Sequence, residues 1–155
     1  MRELDVIAMR PTLLFRVITF GLVCASAVEA VAQSTGIKSI HAFVAAGEKS
    51  KPATTFSSDV FRIYAFWKGE ALEVGDKIQA VWIAEDIGDA APKNMKILEG
   101  DVKVYKQDEN GAFSLTRPGG RVWPLGKYRV EIYINGILAQ LVKFTITSGV
   151  TIEVH

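Results

Sequence analysis

Histidine is the side chain most often used as a general base and as a zinc ligand, and the 155-residue chain has two, His41 and His155. Neither has a second histidine, a cysteine or a carboxylate at a metal-ligating spacing. A serine triad needs a histidine held within the fold, and the strand-forming region from Asp59 to Ile146 contains none. No G-x-S-x-G, P-loop or G-x-G-x-x-G pattern occurs. A glycosidase needs two carboxylates across a cleft, whereas the acids here fall in loops or on polar strand faces. The loop Glu85-Asp86-Ile87-Gly88-Asp89, with Asn94, offers oxygen ligands for calcium. It lacks the EF-hand spacing, and Asp, Gly and Pro are also what an inter-strand loop requires. These residues predict no catalytic centre, no metal site and no cofactor.

The aromatic residues are the remaining chemistry. Trp67 and Trp82 lie in phase with Phe61, Ile63, Ile78 and Ala80, which predicts that they pack the core. Trp123, beside Pro124 at a strand entrance, is expected to plug one end of it. On the opposite phase stand Tyr64 and Phe66 in one run, Val81 and Ile83 in the next, and Tyr133 in a third. A sheet face turned to water alternates cleanly between apolar and polar residues, and these runs do not. Their outer face therefore predicts a contact surface or a covered one. Tyr64, Phe66, Val81, Ile83, Trp123 and Tyr133 are the candidate partner-binding residues. Three covers are open: residues 37–44 folding back, a second copy, or another exported protein.

Strands must position these side chains. Phe61, Ile63, Ala65 and Trp67 alternate with Val60, Arg62, Tyr64, Phe66 and Lys68; Ile78, Ala80, Trp82 and Ala84 alternate with Gln79, Val81, Ile83 and Glu85. Period-two alternation of this length marks β-strands. Val102, Val104 and Tyr105 precede Asp108-Glu109-Asn110-Gly111, then Phe113 and Leu115, which predicts a hairpin through Asn110-Gly111. Tyr128 to Ile134, Asn135-Gly136 and Ile137 to Ile146 predict a second hairpin. Val150, Ile152 and Val154 predict a short edge strand. About seven strands with no helix among them argue for an all-β sandwich.

The N-terminus carries an address rather than a fold. Arg2, Arg10 and Arg16 precede an uncharged apolar run from Val17 to Val28, and Ala30-Val31-Ala32 stands before Gln33. A basic region, a short apolar run and an A-x-A site describe a secretory signal peptide over residues 1–32, with Met9 as an alternative start. The run is shorter than the ~20 residues a membrane span requires. Cys24 is the only cysteine and lies inside this segment. Cleavage after Ala32 leaves a chain without disulfides, feasible at ~120 residues. Residues 33–55 read as a linker or covering segment, and residues 56–155 as the sandwich.

The run Trp123-Pro124-Leu125-Gly126-Lys127-Tyr128-Arg129-Val130-Glu131-Ile132-Tyr133-Ile134-Asn135-Gly136-Ile137-Leu138, followed by Phe144-Thr145-Ile146, resembles the closing hairpin of a widespread group of bacterial secreted immunoglobulin-like domains. Ile63-Tyr64-Ala65-Phe66 and the Trp82 run look like that group too. The resemblance covers roughly Phe56 to Ile146 and implies an immunoglobulin-like antiparallel β-sandwich preceded by a signal-peptide helix. Its members are mostly accessory or uncharacterised. The long Gly/Trp-rich middle of some members is missing; Glu85 to Gly100 takes its place.

A formal net charge of +1, with cations and anions interspersed, predicts neither nucleic acid nor, after signal cleavage, a membrane as partner. The expected function is a non-catalytic, periplasmic or secreted bacterial binding or accessory module. It would act on another exported protein or by self-association. Two rivals stand beside it. A carbohydrate or cell-wall binding module would expose Trp123, Tyr64 and Tyr133 on one surface. A small hydrolase or metal protein would need His41 beside the acidic loop.

Overall fold

The computed structural model describes residues 36–117 and 119–149. The expected signal peptide with Cys24, the expected strand at Val150–Val154 and His155 all lie outside the described residues. Eight strands are described: β1 (Ser39–Ala45), β2 (Thr55–Ser57), β3 (Arg62–Glu70), β4 (Lys77–Asp86), β5 (Met95–Lys103), β6 (Asn110–Thr116), β7 (Gly126–Ile134) and β8 (Ile137–Thr147), with one 3₁₀ turn at Gly88–Ala90. They form two sheets, ordered β1-β3-β6 and β2-β8-β7-β4-β5. All neighbours are antiparallel except β2 and β8.

Each long strand buries one phase. Ile63, Ala65 and Trp67 of β3 face Ile78, Ala80, Trp82 and Ala84 of β4 and Tyr128, Val130, Ile132 and Ile134 of β7 across one core. At one end Phe144 stacks on Tyr128 (ring centroids 5.4 Å) and meets Trp82 and Phe56 edge-on at 6.1 and 5.8 Å. The Tyr128 hydroxyl donates to the carbonyl of Pro124 at 2.7 Å. A tyrosine four residues along, bonded back to the backbone at the entrance to its strand, is the corner that immunoglobulin-like sandwiches use, and a buried tryptophan on the neighbouring strand is their usual core residue. Strand order, corner and Trp82 together make this an immunoglobulin-like β-sandwich.

Three expectations are corrected by the structure. Residues 37–44 do not cover a face. Ser39–Ala45 joins β3 as the edge strand of the three-stranded sheet, burying Ile40 and Val44 in the core and turning Phe43 outward. The sandwich therefore begins at Ser39 rather than at residue 56. Phe61, expected inside, is 62% exposed. Pairing of β3 starts one residue later, at Arg62, and Trp123 closes this end, its indole Nε1 donating to the Val60 carbonyl at 2.7 Å.

The third correction concerns Asn110-Gly111. β5 and β6 belong to different sheets, so the chain between them crosses the sandwich instead of turning a hairpin. Gly111 pairs with Trp67 on β3, and a Cβ there would lie 2.8 Å from the Trp67 ring. The glycine admits the indole; it does not turn the chain. Asn135-Gly136, in contrast, forms the expected two-residue hairpin, with φ of 50° and 83°.

Candidate interaction surface

The outer face of the three-stranded sheet is the candidate site. Cross-strand partners point to the same side of a sheet, so the register gives its rows directly. Phe66 lies between Phe43 and Ala112, Tyr64 between Ala45 and Ser114, and Lys68 between His41 and Asn110. Arg62 faces Thr116. Phe43 and Phe66 stack at 5.3 Å, and Tyr64 and Phe66 at 5.6 Å. The Arg62 guanidinium continues the row, 5.9 Å from the Tyr64 ring and 5.6 Å from Phe61. Its Nε donates to Thr116 Oγ1 at 3.0 Å. An aromatic row thus runs between two cations, Arg62 and Lys68.

Phe43 ends the row on β1 and is 41% exposed. On one side it lines a depression of 410 Å³ with His41, Phe66, Trp67, Lys68, Asn110 and Gly111. On the other it lines a second, of 380 Å³, with Val44, Pro52, Ala53 and Val142. Glu70 is the one acid in these rows and is held by its neighbours, its Oε2 lying 3.4 Å from His41 Nε2 and 3.5 Å from Ser39 Oγ. Lys68 and Asn110 have no side-chain partner among the described residues.

Of the residues expected to bind, only Tyr64 and Phe66 stand here. Val81, Ile83 and Tyr133 lie on β4 and β7, in the other sheet, so the six do not make one surface. Ile83 is 8% exposed. Tyr133 is tied into a network: its hydroxyl donates to Glu131 Oε2 at 2.5 Å, while Arg129 Nε donates to Glu131 Oε1 at 2.7 Å. Burial pushes the Glu131 carboxyl up, but these two donors outweigh it and hold the group below the usual carboxylate range. The same bond pushes the Tyr133 hydroxyl up. Further pairs neutralise this face, Lys96–Glu99 at 2.8 Å and Lys143–Glu85 at 3.1 Å. Val81 stands between Glu99 and Glu131, and the same face exposes the aliphatic Leu138 and Leu141 beside these paired charges.

Trp123 is 3% exposed and belongs to the core. The combined surface of Trp123, Tyr64 and Tyr133 expected of the carbohydrate-binding rival is therefore not formed. The arrangement needed by the hydrolase rival is not formed either. His41 pairs with Glu70 on the three-stranded sheet, whereas Asp86 of the acidic loop pairs with Lys93 at 2.9 Å. Hydrogen bonds from Lys93 and from the Gly88 amide hold the Asp86 carboxyl below its usual value. Asn94 accepts from Arg129 at 2.5 Å. Among the described residues no three His, Cys, Asp or Glu side chains are grouped to hold a metal.

Phe43, Arg62, Lys68 and Asn110 are the surface residues that sequence reasoning missed. The signal for Phe43 was present: Ile40, Ala42 and Val44 alternate with His41 and Phe43, a short strand of period two. Lys68 and Asn110 carry no such signal, since a charged and an amide residue at strand ends look like ordinary surface.

No protein-family model and no curated protein matches the chain. Among solved structures it is similar to Pseudomonas fluorescens alkylpurine DNA glycosylase AlkC bound to DNA containing an abasic site analog, with 12% identity and a TM-score of 0.45 over 72% of this chain and 30% of that one. It is similar to a β-glucosidase from Listeria innocua, with 13% identity and a TM-score of 0.44 over 72% and 16%. An immunoglobulin-like protein from Pseudomonas aeruginosa gives 13% and 0.43 over 72% and 93%. The chain thus spans less than a third of the glycosylase and of the glucosidase. These likenesses carry no argument about activity. The fold stands on the chain's own strand order, on the Tyr128 corner and on buried Trp82.

Proposed function

We propose that this chain is a non-catalytic, exported binding module whose contact surface is the outer face of the β1-β3-β6 sheet. One observation carries the reading: exposed Phe43 stacks with half-buried Phe66 and Tyr64 in one aromatic row on this sheet, while the face of the other sheet pairs its charges around the aliphatic Leu138 and Leu141 and has no such row. Contiguous exposed apolar patches on small domains mark interaction sites. Aromatic and arginine side chains, both present here, are enriched at such sites. Export to the periplasm or beyond rests on the Arg2–Arg16 basic region, the apolar run and the Ala30-Val31-Ala32 site.

Two measurements test this reading. Mass analysis of the exported protein is expected to show a start near Gln33; an intact Met1 or Met9 refutes cleavage. A photo-crosslinking residue at Phe66 is expected to capture a partner in the producing cells, whereas the same residue at Val81 captures none. Equal capture from both positions, or capture only from Val81, overturns the assignment of the surface.

A further inference from the structure

We infer that the ligand of this face is an acidic polysaccharide, a chain of sugar rings bearing carboxylates; the inference rests on the surface assigned above. Along β3 the distance from Arg62 to Lys68 is roughly 20 Å at the usual rise of a strand. Three kinds of group line that track. The rings of Phe43, Phe66 and Tyr64 form its middle, and they suit the apolar C–H faces of sugar rings. Beside them, β6 presents Asn110, Ala112, Ser114 and Thr116. This is a row with neutral donors and acceptors for hydroxyl groups and no charge. At the two ends stand Arg62 and Lys68, two cations against the single acid of these rows, Glu70, whose contacts are with Ser39 and His41. The charge left over is positive, so the complementary ligand is an anion.

The geometry favours a glycan over a peptide. An extended peptide is recognised chiefly by main-chain hydrogen bonds to a free sheet edge. The centre of this face is β3, which is paired on both sides, so its backbone groups are already used. Over that centre only side chains remain to meet a ligand, the free edges being those of β1 and β6 at its margins, and they are those that hydroxyls, C–H faces and carboxylates need. The 410 Å³ depression between Phe43 and Lys68 is of the size that ligand sites adopt, with aromatic walls and few polar groups.

The test is calorimetric titration of the full purified chain with hexagalacturonate, hexamannuronate, cellohexaose and hexaglutamate. At least one of the two uronates is expected to bind, and more tightly than cellohexaose. Phe43→Ala is expected to weaken it about tenfold through lost stacking, and Lys68→Gln about threefold, as for an exposed charge pair. Raised salt abolishes the Lys68 contribution. Phe43→Tyr, which keeps the ring, retains binding and guards against a folding defect, and Val81→Ala on the other sheet leaves it unchanged. Failure of both uronates to bind overturns the inference. So do cellohexaose binding equally well, hexaglutamate binding alone, and uronate binding that Phe43→Ala does not alter. Capture of a protein by the crosslinker at Phe66 together with no uronate binding leaves the surface assignment standing and removes only the glycan.

Discussion

Replacing Asp76 by alanine lowers the unfolding free energy by about 3 kcal/mol, equivalent to a fall in Tm of about 12 °C for a domain of this size. Asp76 is the only buried charged residue among the described ones, at 7% exposure. Its Oδ1 accepts from Lys38 Nζ and from Asn135 Nδ2, both at 2.8 Å, and its Oδ2 from the Glu73 amide at 2.9 Å. The carboxylate thus ties together the approach to β1, the turn before β4 and the β7–β8 hairpin. Alanine leaves the Glu73 amide and the Asn135 amide without this acceptor, in a place where water reaches poorly. A loss under 1 kcal/mol in chemical denaturation, with an unchanged slope, would refute the clamp.

The same group sets a pH limit. Burial pushes the Asp76 carboxyl up, but the bonds from Glu73, Lys38 and Asn135 outweigh it and hold the group below its ordinary value. A carboxyl depressed in the folded state contributes stability that is complete above its unfolded value, roughly 3.9, and that is lost as pH falls through the folded value. Lys38 is raised, by its bond to Asp76 first and to Glu73 next. Its contribution is complete below its unfolded value, roughly 10.4, and is lost as pH rises through the folded one. The Tm of the natural chain is therefore expected to drop below pH ~4 more steeply than that of Asp76→Asn. Parallel curves for the two proteins would reject this.

The second large effect is Phe144→Ala, expected to cost about 4 kcal/mol. Phe144 is buried and meets three other buried rings, those of Tyr128, Trp82 and Phe56, which come from β7, β4 and β2. No single neighbour can collapse into the space, because each is held from another direction. Tyr128 is pinned by its bond to Pro124, and burial pushes its hydroxyl up to about 12. Trp123 in turn packs edge-on against Tyr128 at 6.4 Å. No cysteine occurs after Cys24, so no disulfide links the sheets as in other sandwiches; this aromatic cluster knits β2, β8, β7 and β4 together on the inner face of the five-stranded sheet. Phe144→Leu is expected to cost under half as much, since it conserves most of the volume. Comparable losses for Ala and Leu in denaturant titrations would show that ring geometry, not volume, matters at this position.

By itself the sequence determined the strands with long alternation and the side chains each buries. Ile63, Trp67, Trp82 and Ile132 are interior as their phase requires, and Asn135-Gly136 turns where its residue types demand. Alternation and turn chemistry are local, acting through the pleat of one strand and the φ values of two residues. Sheet membership is not local. Tyr64 with Phe66 and Val81 with Ile83 occupy equivalent outward phases of consecutive strands, yet β3 and β4 lie in different sheets and turn those residues to opposite sides of the molecule. Only the tertiary structure decided that parting, because nothing within a strand specifies which distant strand it pairs with. It also decided that Phe43 joins the aromatic row, by pairing β1 with β3, and that Gly111 makes room for Trp67 rather than turning a hairpin. The proposed contact surface is therefore a product of pairing: its aromatic residues are readable one by one, and their assembly follows from the order β1-β3-β6.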